Sequence, residues 1–177
     1  MKSILISIQP YWVFLIIAKK MGWNIGKVKT VEVRKNFPKD ESWDHIAKIY
    51  CSKDKKSFSQ IPKEYQPLME QFLGKVIGEF ACDEIFPIWE GYIGNRGDAC
   101  LTFDEIEDYL QGSMGYGWHI SDLVIYDKPK SVSDFQLACD REKCGKCKRS
   151  ITHKLSCSAG LTRPPQSWYY VESEGRE

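Results

Sequence analysis

Pro10 cuts the most apolar part of the chain in two, and this decides what that part can become. The stretch from Ile4 to Ala18 covers about 15 residues and contains Gln9 and Pro10, whereas a membrane span needs about 20 uninterrupted apolar ones. Ile4-Leu5-Ile6-Ser7-Ile8 reads instead as a short strand ending at Gln9-Pro10. A proline fits the first turn of a helix, where its missing N–H is not needed. A helix is therefore expected from Tyr11 to about Met21, apolar on nearly every side and hence buried, with Lys19, Lys20 and Gly22 marking its end. Ala18-Lys19-Lys20 offers no small-residue cleavage site, so this segment is expected to be core and the protein cytoplasmic.

Further along, Lys29-Thr30-Val31-Glu32-Val33-Arg34 alternates with period two. That pattern predicts a half-buried strand with Val31 and Val33 on one face and Glu32 and Arg34 on the other. Strands are also expected at Ala47–Cys51, Lys75–Cys82, Trp118–Tyr126 and Trp168–Val171, with Gly78 marking a bulge or a close approach. A helix is expected from Tyr65 to Leu73. Thr102-x-x-Glu105 is a capping box that opens another, running to about Gln111. Residues 87–100, rich in glycine and holding Pro87, read as a long loop. Short strands with few helices predict an α+β fold built on a partly closed β-barrel with flanking helices.

A net charge of +1 conceals strong segregation. Lys19 to Lys63 carries 12 basic and 5 acidic residues, Glu64 to Glu142 carries 5 and 16, and Lys143 to Arg163 carries 6 and none. One face suited to a polyanion, or ordinary solvated faces that mix on folding, both accommodate this pattern.

The order of these elements resembles a known family. Ile6-Ser7-Ile8-Gln9-Pro10, a helix, a Gly26 loop and then Lys29-x-x-Glu32-x-Arg34 on a strand resemble the signature of ASCH domains, which have a PUA-like fold. One extra residue separates Gly26 from Lys29 compared with that signature. Lys75 to Phe80 is similar to the family's central strand; Gly117 to Leu123 and Arg163 to Trp168 resemble segments of its bacterial and phage members. The resemblance covers residues 3–135 and 161–172. It implies a barrel built from residues 1–138 and 161–172, interrupted by a cysteine-rich insertion at 139–160, with a disordered tail at 173–177. ASCH domains resemble PUA, YTH and EVE modules, which read RNA or modified bases, so binding of RNA or a modified nucleotide is the implied function.

Glu32 and Arg34 share one strand face at i and i+2, while Lys29 has the opposite parity and joins them only if the preceding loop swings it round. A guanidinium suits phosphate, carboxylate or a base edge, and a carboxylate accepts from amines and hydroxyls. The bland alternative is a cross-strand ion-pair network that only closes the barrel. Trp118 and His119, beside Gly115 and Gly117, are candidates for an aromatic wall against a base. Two rivals remain. One is a small amidohydrolase or ribonuclease using Lys29 and Glu32, although Glu32 stands where related acetylcytidine amidohydrolases place a threonine nucleophile. The other is a phage-encoded protein-interaction module.

The seven cysteines are odd in number and scattered, unlike a disulfide framework. Cys139-x4-Cys144-x2-Cys147-x9-Cys157, with His153 inside, forms a separate group in a segment almost without apolar residues. Such a segment cannot order itself by burial. Four soft ligands at this spacing suit tetrahedral zinc, which would supply the ordering free energy. A flexible thiol-bearing loop and a redox Cys-x-x-Cys pair are the alternatives.

Overall fold

The computed structural model describes residues 2–38, 45–89, 92–138 and 160–172. The first strand, β1 (Lys2–Ile8), is interior to its sheet, and Ser3–Ile6 and Ile8 are buried because apolar clusters cover both of its faces. It pairs parallel with β3 (His45–Cys51) and antiparallel with β8 (Trp168–Glu172). Strand β4 (Lys75–Cys82) follows β3, and β7 (Ser121–Lys130) closes the five-stranded order β7-β4-β3-β1-β8. A parallel β1–β3 pair needs a crossover. Helix α1 (Pro10–Ile17) and strand β2 (Val31–Arg34) supply it. Ile4, Ile6 and Ile8 point to the α1 side, where Val13, Phe14 and Ile17 bury against them; Leu5 points to the opposite side with Phe135 and Val171.

Helix α1 begins at Pro10 as expected but stops at Ile17, four residues short of Met21. The chain turns there instead, with Met21 N–H bonding to Ile17 O and Gly22 in the left-handed region. Two short helices, α2 (Lys55–Phe58) and α3 (Gln66–Glu70), follow β3; the second is the core of the longer helix expected at 65–73.

A second sheet has the order β2-β6-β5, with β5 at Ile85–Ile88 and β6 at Gly115–His119. Strand β5 falls partly inside the expected loop. Pro87 is tolerated because β5 is an edge strand, where one N–H can be spared. The single strand expected at Trp118–Tyr126 is two strands in two sheets. The switch occurs at Ile120, whose N–H is taken by Thr30 O while His119 N–H bonds to Glu84 O. Asp122, with φ near 45°, completes the change of direction. Helix α4 (Phe103–Leu110) covers the small sheet through Ile106 and Leu110. Its capping box is present, with Glu105 Oε2 accepting from Thr102 N at 2.8 Å. The fold is thus α+β with two sheets; among the described residues they do not close into a continuous barrel. No described helix is long and apolar enough to cross a membrane.

Of the bulge or close approach expected at Gly78, the structure shows a close approach flanked by register shifts. A Cβ there would lie 2.2 Å from Val124 O, and the β4 pairing shifts register on either side of it.

Candidate functional site

Strand β2 is buried along its whole length rather than on one face. Val31 and Val33 pack into the core under α4, and Glu32 and Arg34 turn the other way, each only 7% exposed. Lys29, just before the strand, is 2% exposed. Its backbone N–H bonds to Leu15 O, which swings the residue round so that its ammonium reaches the Glu32 side. The parity problem is solved by the loop.

The three charges form one cluster. Glu32 Oε1 lies 2.9 Å from Arg34 Nη2, and Glu32 Oε2 lies 3.4 Å from Lys29 Nζ. Lys29 also donates to Ala99 O at 2.8 Å, and Arg34 Nη2 to Ser7 O at 2.6 Å. Lys29 Nζ sits 5.2 Å from the centre of the Trp12 ring, within cation–π range. Burial pulls the Lys29 proton affinity below its ordinary value of 10.5, against the opposing attraction of Glu32. Arg34 Nε and Ser52 Oγ are buried without a hydrogen-bond partner among the described residues.

The cluster is paired, yet it is not sealed. All three side chains line an open cleft of about 850 Å3. Ser7, Ile8 and Gln9 at the end of β1 form one side, and Pro164-Pro165-Gln166, leading into β8, another. The latter segment is held by Ser7 Oγ donating to Pro165 O at 2.6 Å. Trp12 and, from α4, Glu105, Asp108 and Tyr109 complete the wall. These α4 residues recur at i, i+3 and i+4, one helix face beside the Ile106/Leu110 face that enters the core. Tyr109 interacts electrostatically with both Arg34 and Glu32, and desolvation pushes its hydroxyl pKa up.

Sequence reasoning finds Lys29, Glu32 and Arg34 but misses Trp12, Glu105, Asp108 and Tyr109. Neither Trp118 nor His119, the aromatic wall expected from the sequence, lines this cleft. Trp118 is fully buried, directly opposite Glu32 across the β2–β6 ladder, and packs in the main core 6.1 Å from the Trp168 ring. It is not part of the cleft lining. His119 lies at the far end of β6, where its Nδ1 is 2.6 Å from Asp83 Oδ1. Burial alone would raise the Asp83 carboxyl; the contacts with His119 hold it below its usual range. Gly117 makes room for the Phe86 ring, not for a ligand. Cys139, Cys144, Cys147 and Cys157, together with His153, lie outside the described residues.

Neither a protein-family model nor a curated protein matches the sequence. Solved structures do match the fold. A serine-to-alanine variant of the ASCH protein from Zymomonas mobilis aligns with a TM-score of 0.57 at 17% identity, covering 97% of this chain and 89% of that one. A tyrosine-to-phenylalanine variant gives 0.56 at 17%, covering 98% and 92%. The crystal structure of ASCH from the same organism gives 0.51 at 16%, covering 97% and 88%. Over nearly its whole length, this chain has the fold of the ASCH domain.

Proposed function

We propose that the chain binds RNA or a modified nucleotide by admitting one nucleobase into the cleft floored by Lys29, Glu32 and Arg34. The observation that carries this reading is a carboxylate clamped between two cations at the bottom of an open cleft of about 850 Å3, within the usual size of small-molecule sites. The floor offers an acceptor and donors side by side, the complement of a base edge. Trp12 and Tyr109 offer aromatic surface, on which each stacked base gains roughly 1–3 kcal/mol.

The charge of the lining narrows the reading. Lys29, Arg34 and Lys53 are set against Glu32, Asp54, Glu105 and Asp108, so the cleft does not favour a phosphate backbone inside it. A base or nucleoside, neutral and rich in N–H and O–H donors, suits it better. Phosphates suit Lys53, exposed where it lines the cleft, and Lys55 and Lys56, exposed just after it in the chain.

Calorimetric titration with ribonucleosides, modified ribonucleosides and short oligoribonucleotides tests this directly. Binding is expected to weaken about ten-fold in Arg34→Lys, since one amine cannot replace a planar fork. Failure of every nucleoside and oligonucleotide to bind at millimolar concentration sinks the reading, and leaves a protein-interaction role as the rival.

The lowered proton affinity of Lys29 beside Glu32 favours a second reading, a small hydrolase acting on a nucleoside or RNA. A lysine that gives up its proton more easily is a better general base. Turnover of a nucleoside or RNA substrate that disappears in Glu32→Ala supports it; binding without turnover rejects it.

A further inference from the structure

A second concavity of about 620 Å3 adjoins the main cleft, lined by Tyr11, Lys27, Gln60, Cys100 and Thr102 and sharing Trp12, Leu101 and Glu105 with it. Trp12 therefore stands as a partition, with the buried charge cluster on one side and this hollow on the other. We infer that the second hollow is a subsite for the neighbouring nucleotide unit, so that the ligand is an oligoribonucleotide of at least two residues rather than a single nucleoside.

This inference rests on the base-binding reading of the main cleft and adds to it the class of ligand. Its chemistry differs from that of the cleft floor. Tyr11 and Trp12 meet edge to face with ring centres 5.1 Å apart and provide aromatic surface at the first turn of α1. Lys27 is exposed, with its ammonium 5.6 Å from the Tyr11 ring centre. Its ammonium donates a hydrogen bond to the Tyr11 hydroxyl oxygen, which strengthens its hold on its proton, so it stays charged at neutral pH. Stacking surface with one flanking cation is what a single-stranded nucleic-acid groove repeats from unit to unit.

Glu105, at the seam between the two hollows, is tied to the start of α4. Glu105 is fixed by Thr102 through its backbone N–H at 2.8 Å and its hydroxyl at 2.9 Å. Burial pushes the Cys100 thiol up to about 11, so at neutral pH it is a neutral part of the lining. The subsite is a place for stacking and one phosphate contact.

The test is a titration of ribodinucleoside monophosphates against their constituent ribonucleosides, by calorimetry. The best dinucleoside is expected to bind roughly ten-fold tighter than either nucleoside, from one added stacked base. That gain should shrink with added salt, because the new ion pair is screened. Lys27→Gln and Gln60→Ala, both at exposed positions outside the main cleft, should reduce the gain while leaving nucleoside affinity unchanged. Equal affinity for dinucleoside and nucleoside overturns the inference and spares the main reading. Loss of nucleoside binding in Lys27→Gln also overturns it, since the two hollows would then be one site. Absence of binding by both probes defeats the main reading and this one together.

Discussion

Lys29 and Glu32 face one another at 3.4 Å although Lys29 precedes the strand and has the wrong parity to share its face. The Leu15 carbonyl holds the Lys29 backbone in place, so the contact is built by α1 as much as by β2. Glu32 thereby neutralises two buried cations, one on each oxygen.

Removing that carboxylate leaves both cations buried and uncompensated. Glu32→Gln keeps the shape and removes the charge. It should cost on the order of 3–5 kcal/mol, as breaking buried pairs from one side does. Urea denaturation measures it. A loss under about 1 kcal/mol would mean that solvent in the cleft supports Lys29 and Arg34 without Glu32.

The pH dependence of stability has a definite sign. Burial lowers the Lys29 proton affinity from 10.5, so between the folded value and 10.5 the unfolded chain binds more protons than the folded one. Stability from this group rises with pH across that interval and is lowest below it. Cys51, pushed up from 9.0 to about 12 by burial, acts in the opposite sense over its own interval. The effect is therefore read as a difference between the native chain and Lys29→Met, measured by denaturation from neutral to alkaline pH. Parallel stability curves in the two proteins would show that Lys29 titrates normally.

Where local chemistry alone sets an outcome, the sequence was legible. Pro10 starts α1, and Thr102 with Glu105 starts α4. Lys29, Glu32 and Arg34 were readable because period two places charges on one face and the loop brings in the third. For Trp118, glycines beside an aromatic suggest an open wall, whereas the residue is buried opposite β2, a pairing invisible locally. The split into β6 and β7 was hidden for the same reason: an unbroken β-rich run says nothing of which sheet each part joins. Glu105, Asp108 and Tyr109 were within reach, since helical spacing puts them on one face once Ile106 and Leu110 are assigned inward.

We propose that the Cys139, Cys144, Cys147 and Cys157 group holds one zinc ion, on the strength of its spacing in sequence. Freshly purified, unchelated protein should carry close to one equivalent by mass spectrometry, and Cys144→Ser should lower it. Less than about half an equivalent in the native chain rejects the site.

Gly78→Ala tests how β4 meets β7. The new Cβ would sit 2.2 Å from Val124 O and 3.1 Å from Ile125 Cα, both backbone atoms that no rotamer change can move. Either the register of the sheet edge shifts or the strands separate, at an overpacking cost of about 1–3 kcal/mol. The atoms nearest a Cβ at Gly117 all belong to the Phe86 ring, at 2.4 Å; the ring is buried, but a side chain can shift where backbone atoms cannot. The expected order is thus a larger loss of thermal stability for Gly78→Ala than for Gly117→Ala. The reverse order would show that the packing of Phe86, not the β4–β7 approach, is the tighter constraint.

Thr102→Ala tests whether α4 positions the cleft wall. Thr102 accepts from Glu105 N at 3.3 Å and donates to Glu105 Oε2, so the substitution removes the cap and frees the carboxylate at once. Loss of such a cap costs about 1 kcal/mol. The informative quantity is ligand affinity. Glu105 lines both hollows and Thr102 lines the second alone, so the substitution should weaken dinucleoside binding more than nucleoside binding while the fold, monitored by circular dichroism, stays intact. A variant that loses stability but binds both probes as before would show that Glu105 is only a cap, and that the seam between the hollows is held by Trp12 and Leu101 alone.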